Sequence, residues 1–257
     1  MKIARYRCFL FIDGMFPIYF YQGENISGII HVPGLRGNPE RLYKPSSFGS
    51  RFEGTFENYV ASVIKHWQST HDPRLHDLGI HLEKLGLTWK VDTNPIDATQ
   101  VELRVGRLIH SKVGGAKDMV SIADVGFGVS QILPVLVALL TAEPGQMVYL
   151  EQPEIHLHPR AQTALAQILA DAAKRGVRVV AETHSSLLLL AVQTLVAKGE
   201  LSPDLIKLHW FQRGEDGITR VTSADLDEDG AFGDWPEDFA EVEMKAEDEY
   251  LNAVETK

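Results

Sequence analysis

The middle of the chain carries two short apolar runs with a helical pattern between them. Residues 147–150 and, apart from Arg178, residues 177–181 are apolar and rich in β-formers, which predicts two buried strands. Two strands joined by one helix run parallel, so their carboxyl ends meet at one sheet edge. The pattern therefore predicts an α/β fold with a parallel sheet core. The helix between the strands is indicated by apolar residues at helical spacing, namely Ala161, Ala164, Leu165, Ile168, Leu169 and Ala172.

Similar patterns predict further elements on both sides of this unit. Three regions follow: a mixed α+β region with a helical insertion at 1–123, a lobe at 124–223, and an acidic extension at 224–257. The apolar helix expected at 129–140 must be buried. The other expected elements are strands at 7–12, 18–21, 29–32, 87–91 and 101–105, helices at 56–68, 73–85, 187–196 and 237–254, and a hairpin of 206–212 with 218–222.

Composition and charge narrow the class of protein. The hydrophobic fraction of 44% supports a packed core, and the single cysteine, Cys8, suits a reducing cytoplasm. The net charge of −10 comes from residues 224–257, where 13 acids face two bases, so the body is nearly neutral. This balance neither excludes nor indicates a nucleic-acid partner. No apolar run is long enough to span a membrane. The early apolar run at 8–12 ends at Asp13 and is not followed by a cleavage site of small residues, so it does not indicate a signal peptide.

Polar side chains follow both central strands. The first strand ends in Glu151, Gln152, Glu154, His156 and His158, and the second ends in Glu182, Thr183, His184 and Ser185. The carboxyl edge of a sheet is where α/β proteins place ligands. Upstream, Gly126 and Gly128 precede the helix expected at 129–140 and Ser130 lies at its start, an arrangement that can bind an anion through backbone amides. In the loop at 33–41, Arg36 and Arg41 are expected to fix the loop at the surface in preference to binding phosphate.

These segments, in this order, resemble three motifs of ATPases of the ATP-binding-cassette type. Residues 151–159 (Glu-Gln-Pro-Glu-Ile-His-Leu-His-Pro) look like the Walker B and D-loop region. Residues 182–185 look like the switch-histidine segment, and residues 124–131 look like the signature motif. The resemblance is to the bacterial AAA-family branch that contains RecF-like and overcoming-lysogenisation-defect ATPases. It implies a P-loop NTPase fold that binds ATP and Mg²⁺, with 124–223 as the ATPase lobe.

The resemblance also implies roles for individual residues. Glu151 would hold Mg²⁺, Gln152 stands at the position of the catalytic glutamate, and His184 would contact the γ-phosphate or the attacking water. Across a nucleotide-dependent homodimer, a γ-phosphate held by the partner would meet Gly126, Gly128, Ser130 and Gln131. Glu154, His156 and His158 correspond to the loop that crosses the dimer interface.

Two departures from the family pattern qualify the expected activity. None of the 21 glycines is followed by lysine, so the phosphate-binding G-x-x-x-x-G-K-[ST] sequence does not occur. The chain therefore resembles the C-terminal part of a complete ATPase, and hydrolysis is expected only when a lobe or partner supplies a Walker A loop. Gln152 can orient water but cannot take its proton. The resemblance implies DNA repair, phage defence or chromosome handling without choosing among these processes, and it makes DNA a candidate partner.

Two other functions remain open from the sequence. One is a nucleotide-dependent clamp or interaction module that does not hydrolyse ATP. The other is a metal-dependent hydrolase, because the two turns contain side chains that can bind zinc. These side chains are Glu151, Glu154, His156, His158 and His184.

Overall fold

The computed structural model describes residues 6–12, 28–49, 51–108, 118–233 and 252. Within them the strands are β1 (Tyr6–Ile12), β2 (Ile30–Val32), β3 (Val91–Pro95), β4 (Val101–Gly106), β5 (Met119–Ser121), β6 (Met147–Glu151), β7 (Arg178–Thr183), β8 (Ile206–Arg213) and β9 (Thr219–Asp225). The helices are α1 (Val60–Thr70), α2 (Arg74–Lys84), α3 (Phe127–Thr141), α4 (Pro159–Lys174) and α5 (Ser186–Ala197).

Six strands form the main sheet, in the order β2-β6-β7-β1-β8-β9. The predicted parallel pair is confirmed, because β6 and β7 run parallel with Glu151 opposite Glu182. β2 extends this parallel unit, with Val32 opposite Leu150. β1, from the beginning of the chain, lies antiparallel between β7 and β8, and the predicted hairpin of β8 and β9 completes the sheet. The carboxyl ends of β2, β6 and β7 therefore share one edge.

The core lies between one face of this sheet and the helices. Along β1, Cys8, Leu10 and Ile12 are fully buried, whereas the alternate residues Phe9 and Phe11 are half-buried. This alternation is the period of two expected of a strand with one packed face. α3 contacts β2 and β6 and is covered by α1, α2 and α4. Every residue of this helix from 131 to 140 is therefore buried. The apolar helix expected at 129–140 is thus confirmed and extended at both ends.

A second, three-stranded sheet, β3-β4-β5, packs beside α1 and α2. The prediction of a strand at 87–91 was wrong, since the strand begins at Val91. Gly86 adopts a left-handed φ of 71°, and the Leu87 N–H bonds the Leu82 carbonyl oxygen at 3.1 Å, which ends α2. Leu87 then packs against the hydrophobic core, and the Lys90 carbonyl oxygen accepts the Gly106 N–H at 3.1 Å immediately before β3.

The remaining predicted elements agree with the structure or fall outside the described ranges. The helix expected at 56–68 appears as a 3-10 turn, Phe56–Tyr59, that leads into α1. The strand expected at 18–21 lies outside the described residues, and so does the acidic helix expected at 237–254 except for residue 252. Within the part of the chain that is described, no helix has both the length and the apolar character needed to cross a bilayer.

Candidate functional site

The site is built around the turn that follows β6, residues 151–158, which we call the β6 turn. Gln152 and His156 have positive φ angles of 44° and 63°, which non-glycine residues adopt only at a cost in free energy. Hydrogen bonds hold the turn in this form: the Gln152 N–H donates to the Glu182 carbonyl oxygen at 2.8 Å, and the Leu157 N–H donates to the Glu154 carbonyl oxygen at 3.0 Å. Backbone strain maintained in this way is typical of functional sites.

Glu151 closes β6 with its side chain about one-third exposed (33%). One carboxylate oxygen, Oε1, lies 3.0 Å from His31 Nε2, and the other accepts the Gly34 N–H at 3.0 Å. The His31 ring stacks on Tyr149 with centroids 5.1 Å apart. Sequence reasoning missed His31 and Gly34. The predicted strand at 29–32 was the available signal, because a parallel neighbour of β6 brings its following loop to the same edge.

Arg36 lies in the loop after β2, residues 33–41, and connects it to the end of β6. The expectation that it fixes the loop from the surface was wrong in one respect: Arg36 is only 8% exposed. Its Nη1 donates to the Glu151 carbonyl oxygen at 3.2 Å and its Nη2 donates to the Gln152 carbonyl oxygen at 3.1 Å. Burial lowers the pKa of the Arg36 guanidinium, while nearby carboxylates, led by Glu57, raise it.

Arg41, the second arginine of the region, behaves as a surface residue that fixes a loop. Its side chain is 68% exposed and forms two hydrogen bonds with the carboxylate of Asp124. The hydrogen bonds and charge of Asp124 raise the pKa of Arg41. This pair joins the loop after β2 to the segment before α3.

Glu154 connects the β6 turn to the turn after β7, residues 182–185, which we call the β7 turn. Glu154 is 8% exposed, and its Oε1 accepts two hydrogen bonds, from Thr183 Oγ1 at 2.7 Å and from the His184 N–H at 3.0 Å. The side chain of His184 is exposed. The structure therefore brings Glu151, Gln152, Glu154 and His184 together at neighbouring strand ends.

The start of α3 lies against the β6 turn of the same chain. Gly126 is the N-cap and has no side chain that could accept a hydrogen bond from the first-turn amides. A Cβ added at Gly128 would lie 3.7 Å from the His156 carbonyl oxygen, and the rings of Phe127 and His156 are 6.1 Å apart. His158 caps the next helix, α4, by accepting the Arg160 N–H at 3.3 Å. A helix N-terminus with available amides suits an anion.

Ser130 and Gln131 have different surroundings. The Ser130 hydroxyl donates to the Phe127 carbonyl oxygen at 3.0 Å and lines a cavity of about 710 Å³. Pro134 lines the same cavity and lacks an N–H, so the helix provides no i+4 donor for the Ser130 carbonyl. Gln131 is only 3% exposed, and its Nε2 donates to the Gly37 carbonyl oxygen at 3.0 Å. The Gln131 side chain thus supports the loop after β2.

The side chains at this edge of the sheet suit Mg²⁺, which takes most of its ligands from phosphate and water, better than a metal ion bound only by protein groups. The described residues contain no group of three or more histidine, cysteine or acidic side chains arranged to bind a metal. Mg²⁺ is commonly held by one or two carboxylates, with phosphate and water as its other ligands. Glu151, partly exposed at the end of a central strand, is such a carboxylate.

Residues 12–191, more than half of the chain, match a family model described as "AAA domain, putative AbiEii toxin, Type IV TA system". The chain belongs to this AAA-domain family. The match includes the start of α3, the β6 turn and the β7 turn. The predicted α/β fold of the P-loop NTPase class is confirmed by this membership together with the mixed sheet.

Two solved structures are similar to parts of this chain. An Smc head bound to the C-terminal winged-helix domain of ScpA has 11% sequence identity and a TM-score of 0.48, over 67% of this chain and 50% of that one. A structure from a study of ATP-driven dimerisation and DNA-stimulated activation of SMC ATPases has 13% identity and a TM-score of 0.42, over 62% of this chain and 87% of that one. This chain therefore covers half the length of the Smc head chain in the first of these structures. No curated protein matches the chain.

Proposed function

We propose that this AAA-domain chain is the acid- and histidine-bearing part of an ATPase that works with a phosphate-binding loop from another lobe or subunit. One observation supports this most strongly: Glu151, Glu154 and the His184 backbone meet at the carboxyl ends of two parallel strands. That edge is the ligand-binding edge of α/β sheets. The absence of a glycine–lysine pair in the sequence is the reason for assigning the loop elsewhere.

The residues at the strand ends receive distinct roles in this proposal. When bound, Mg²⁺–ATP supplies the reactive phosphoryl group and the charge-neutralising metal. Glu151 holds the Mg²⁺ directly or through water, and the Gly34 N–H and His31 orient its carboxylate. His184 bonds the γ-phosphate or the attacking water from its exposed position. Gln152 orients the water without accepting its proton, so turnover is expected to be slow.

The start of α3 serves a second nucleotide in the same proposal. Nucleotide-dependent dimerisation brings Gly126, Gly128, Ser130 and Gln131 to a γ-phosphate held by the partner subunit. The uncapped helix end supports an anion-binding role for this segment. The β6 turn, with His156 and His158, lies beside this helix end and would contribute to the same interface.

The first experiment is calorimetry with Mg²⁺–ATP and the chain alone. Little heat is expected, because the phosphate loop normally supplies most contacts to the β- and γ-phosphates. Hydrolysis should appear only after a phosphate-loop lobe is supplied, as a fused or separate polypeptide. Sub-micromolar affinity of the chain alone would contradict the proposal, because it would require a phosphate site elsewhere in the chain.

Matched variants identify the residues responsible for any hydrolysis. Glu151→Gln removes one charge with little change in volume, so it should weaken Mg²⁺-dependent turnover in the completed enzyme without impairing folding. Glu200→Gln, at an exposed residue after α5, is the control and should retain full activity. Equal activity of the two variants would remove Glu151 from the metal site.

A nucleotide-dependent clamp without hydrolysis is the second candidate, because Gln152 occupies the position expected of the base. Retention of intact ATP in a completed dimer over many minutes would favour the clamp, whereas release of phosphate would favour the ATPase. The metal-dependent hydrolase has weaker support. It requires about one zinc or manganese per purified chain, and elemental analysis is expected to find none.

A further inference from the structure

A chain of hydrogen bonds connects the β6 turn to the β7 turn through side chains that the proposed catalytic roles do not use. It begins at the carboxylate of Glu154, whose Oε1 accepts Thr183 Oγ1 at 2.7 Å and the His184 N–H at 3.0 Å. Thr183 Oγ1 in turn accepts the Ser185 N–H at 3.0 Å. The backbone on both sides of the switch histidine is therefore held by one buried acid of the preceding turn.

The connection returns to the β6 turn by a second route, through α4. The Ser185 hydroxyl donates to Gln162 Oε1 at 2.7 Å, and Gln162 Nε2 donates to the Leu157 carbonyl oxygen at 3.0 Å. The Leu157 N–H donates to the Glu154 carbonyl oxygen at 3.0 Å, which closes the ring. Five residues from three elements thus form one closed network: Glu154, Leu157, Gln162, Thr183 and Ser185.

The network is mostly buried and holds the β6 turn on both sides of His156, so it restricts the movement of that residue. Glu154, Thr183 and Ser185 are buried, so each lost hydrogen bond would leave a polar group without water to replace its partner. His156 lies between the two points where the network holds the β6 turn, and it has a strained left-handed φ of 63°. Movement of His156 must therefore either strain the bonds of Glu154 and Leu157 or carry the β7 turn with it.

We propose that Glu154 and Gln162 are positioning residues that couple the β6 turn to His184, so that a change at the interface-facing His156 moves the switch histidine. The proposal rests on the proposed function for the role of His184 at a phosphate and for the place of His156 at an interface, whereas the coupling itself rests on the hydrogen bonds. Gln162 is its most specific element, because a single amide bridges the two turns as both acceptor and donor. Hydrogen bonds linked in one buried network polarise and strengthen one another, so the loss of one weakens its neighbours.

The first test is hydrogen exchange of the full chain, followed by NMR at single amides. Gln162→Met keeps the length of the side chain but removes both bridging bonds. The loss of two hydrogen bonds should raise exchange of the His184 and Ser185 amides about tenfold, while β7 amides from Val179 to Ala181 keep their rates. Gln162→Glu keeps the acceptor for Ser185 and should give a smaller increase.

The matched control is Gln167→Met, on the same helix. Gln167 bonds only Asp171 along the helix surface among the contacts described, so its loss should leave the His184 amide unchanged. Equal effects of the Gln162 and Gln167 variants would overturn the proposal. A uniform increase in exchange along β6 and β7 would also overturn it, because that result indicates loss of global stability.

The second test measures coupling directly. His156→Gly relaxes the left-handed strain, and it should shift the amide resonance of His184 in the otherwise native chain. In the Gln162→Met background the same substitution should shift that resonance by less than about half as much, which a double-mutant cycle quantifies. Identical shifts in both backgrounds would refute coupling through Gln162. Neither test requires nucleotide, so failure of ATP binding and failure of this proposal are separable.

Discussion

At the scale of single residues, the two arginines of the loop after β2 show how burial changes the value of a charge. Arg36 is 8% exposed and bonds two backbone carbonyl oxygens at the end of β6, whereas Arg41 is mostly exposed and pairs with Asp124. Removal of a buried hydrogen-bonding side chain leaves its partners without a hydrogen bond. Removal of one member of an exposed ion pair lets water solvate the other member at little cost in free energy. The same residue type therefore has different roles five positions apart.

The first prediction follows from this contrast. Arg36→Gln should reduce the free energy of unfolding by about 2–4 kcal/mol, because the carbonyls of Glu151 and Gln152 lose their charged donors. Arg41→Gln, the control, should change stability little. Urea denaturation of both variants measures the difference. Equal losses of unfolding free energy in the two variants would show that the hydrogen bonds of Arg36 stabilise the protein no more than the exposed Arg41–Asp124 pair does.

Cys8 provides a prediction about pH. It is fully buried, and burial, reinforced by the charge of Glu154, raises the pKa of its thiol to about 12. In an unfolded chain a thiol ionises near about 8.5, so the unfolded state releases this proton first as the pH rises. The contribution of Cys8 to stability is therefore complete below about pH 8.5 and is lost progressively between there and pH 12.

The variant Cys8→Ala tests this dependence. The native chain should lose stability above about pH 8.5 by up to about 1.4 kcal/mol per pH unit more than the variant does. The cavity left by the substitution lowers stability equally at every pH, so the slope is the diagnostic quantity. Denaturation curves recorded from pH 7 to 10.5 give it. Parallel slopes for the two proteins would exclude ionisation of Cys8 as the cause.

At the scale of elements, the packing of α2 against the beginning of β3 depends on one glycine. A Cβ at Gly79 would collide with the Trp89 carbonyl oxygen, and backbone has little freedom to move away. Helix propensity alone favours alanine over glycine by about 1 kcal/mol inside a helix. The contact with Trp89 outweighs that preference, and it positions the residues that sequence periodicity had suggested as a strand.

The sign of one substitution tests this argument. Gly79→Ala should destabilise the protein by about 1–3 kcal/mol, because the helix must shift away from Trp89. His76→Ala, at an exposed position of the same helix, should be neutral or slightly stabilising. Thermal unfolding of both variants gives the comparison. A stabilising effect of Gly79→Ala would mean that helix propensity prevails over the close contact.

At the scale of the whole molecule, the proposed active sites are shared between two subunits. Ser130 belongs to the start of α3, while Glu151 and His184 belong to strand ends, and the proposal assigns these groups to different nucleotides. Ser130→Arg should therefore block nucleotide-driven dimerisation in an enzyme completed with a phosphate-loop lobe. Glu151→Gln should weaken Mg²⁺-dependent turnover while leaving dimerisation intact.

Mixing the two variants distinguishes shared sites from sites within one subunit. A mixed dimer contains one composite site with both groups intact, so it should recover about half of the native activity per dimer. Activity measured across mixing ratios, at concentrations where dimers are seen in light scattering, gives the result. No recovery under those conditions would place Ser130 and Glu151 in the same site of one subunit.

The sequence by itself determined the α/β class, the parallel pair β6 and β7, and the polar turns at their ends. These features follow from local periodicity and from the rule that one helix joins parallel strands, so they need no information about distant residues. The position of β1 between β7 and β8, the burial of Arg36, and the contacts of His31 and Gly34 with Glu151 were decided by tertiary structure. Each joins residues more than 100 positions apart, and the free energy of such contacts depends on how the sheet is assembled.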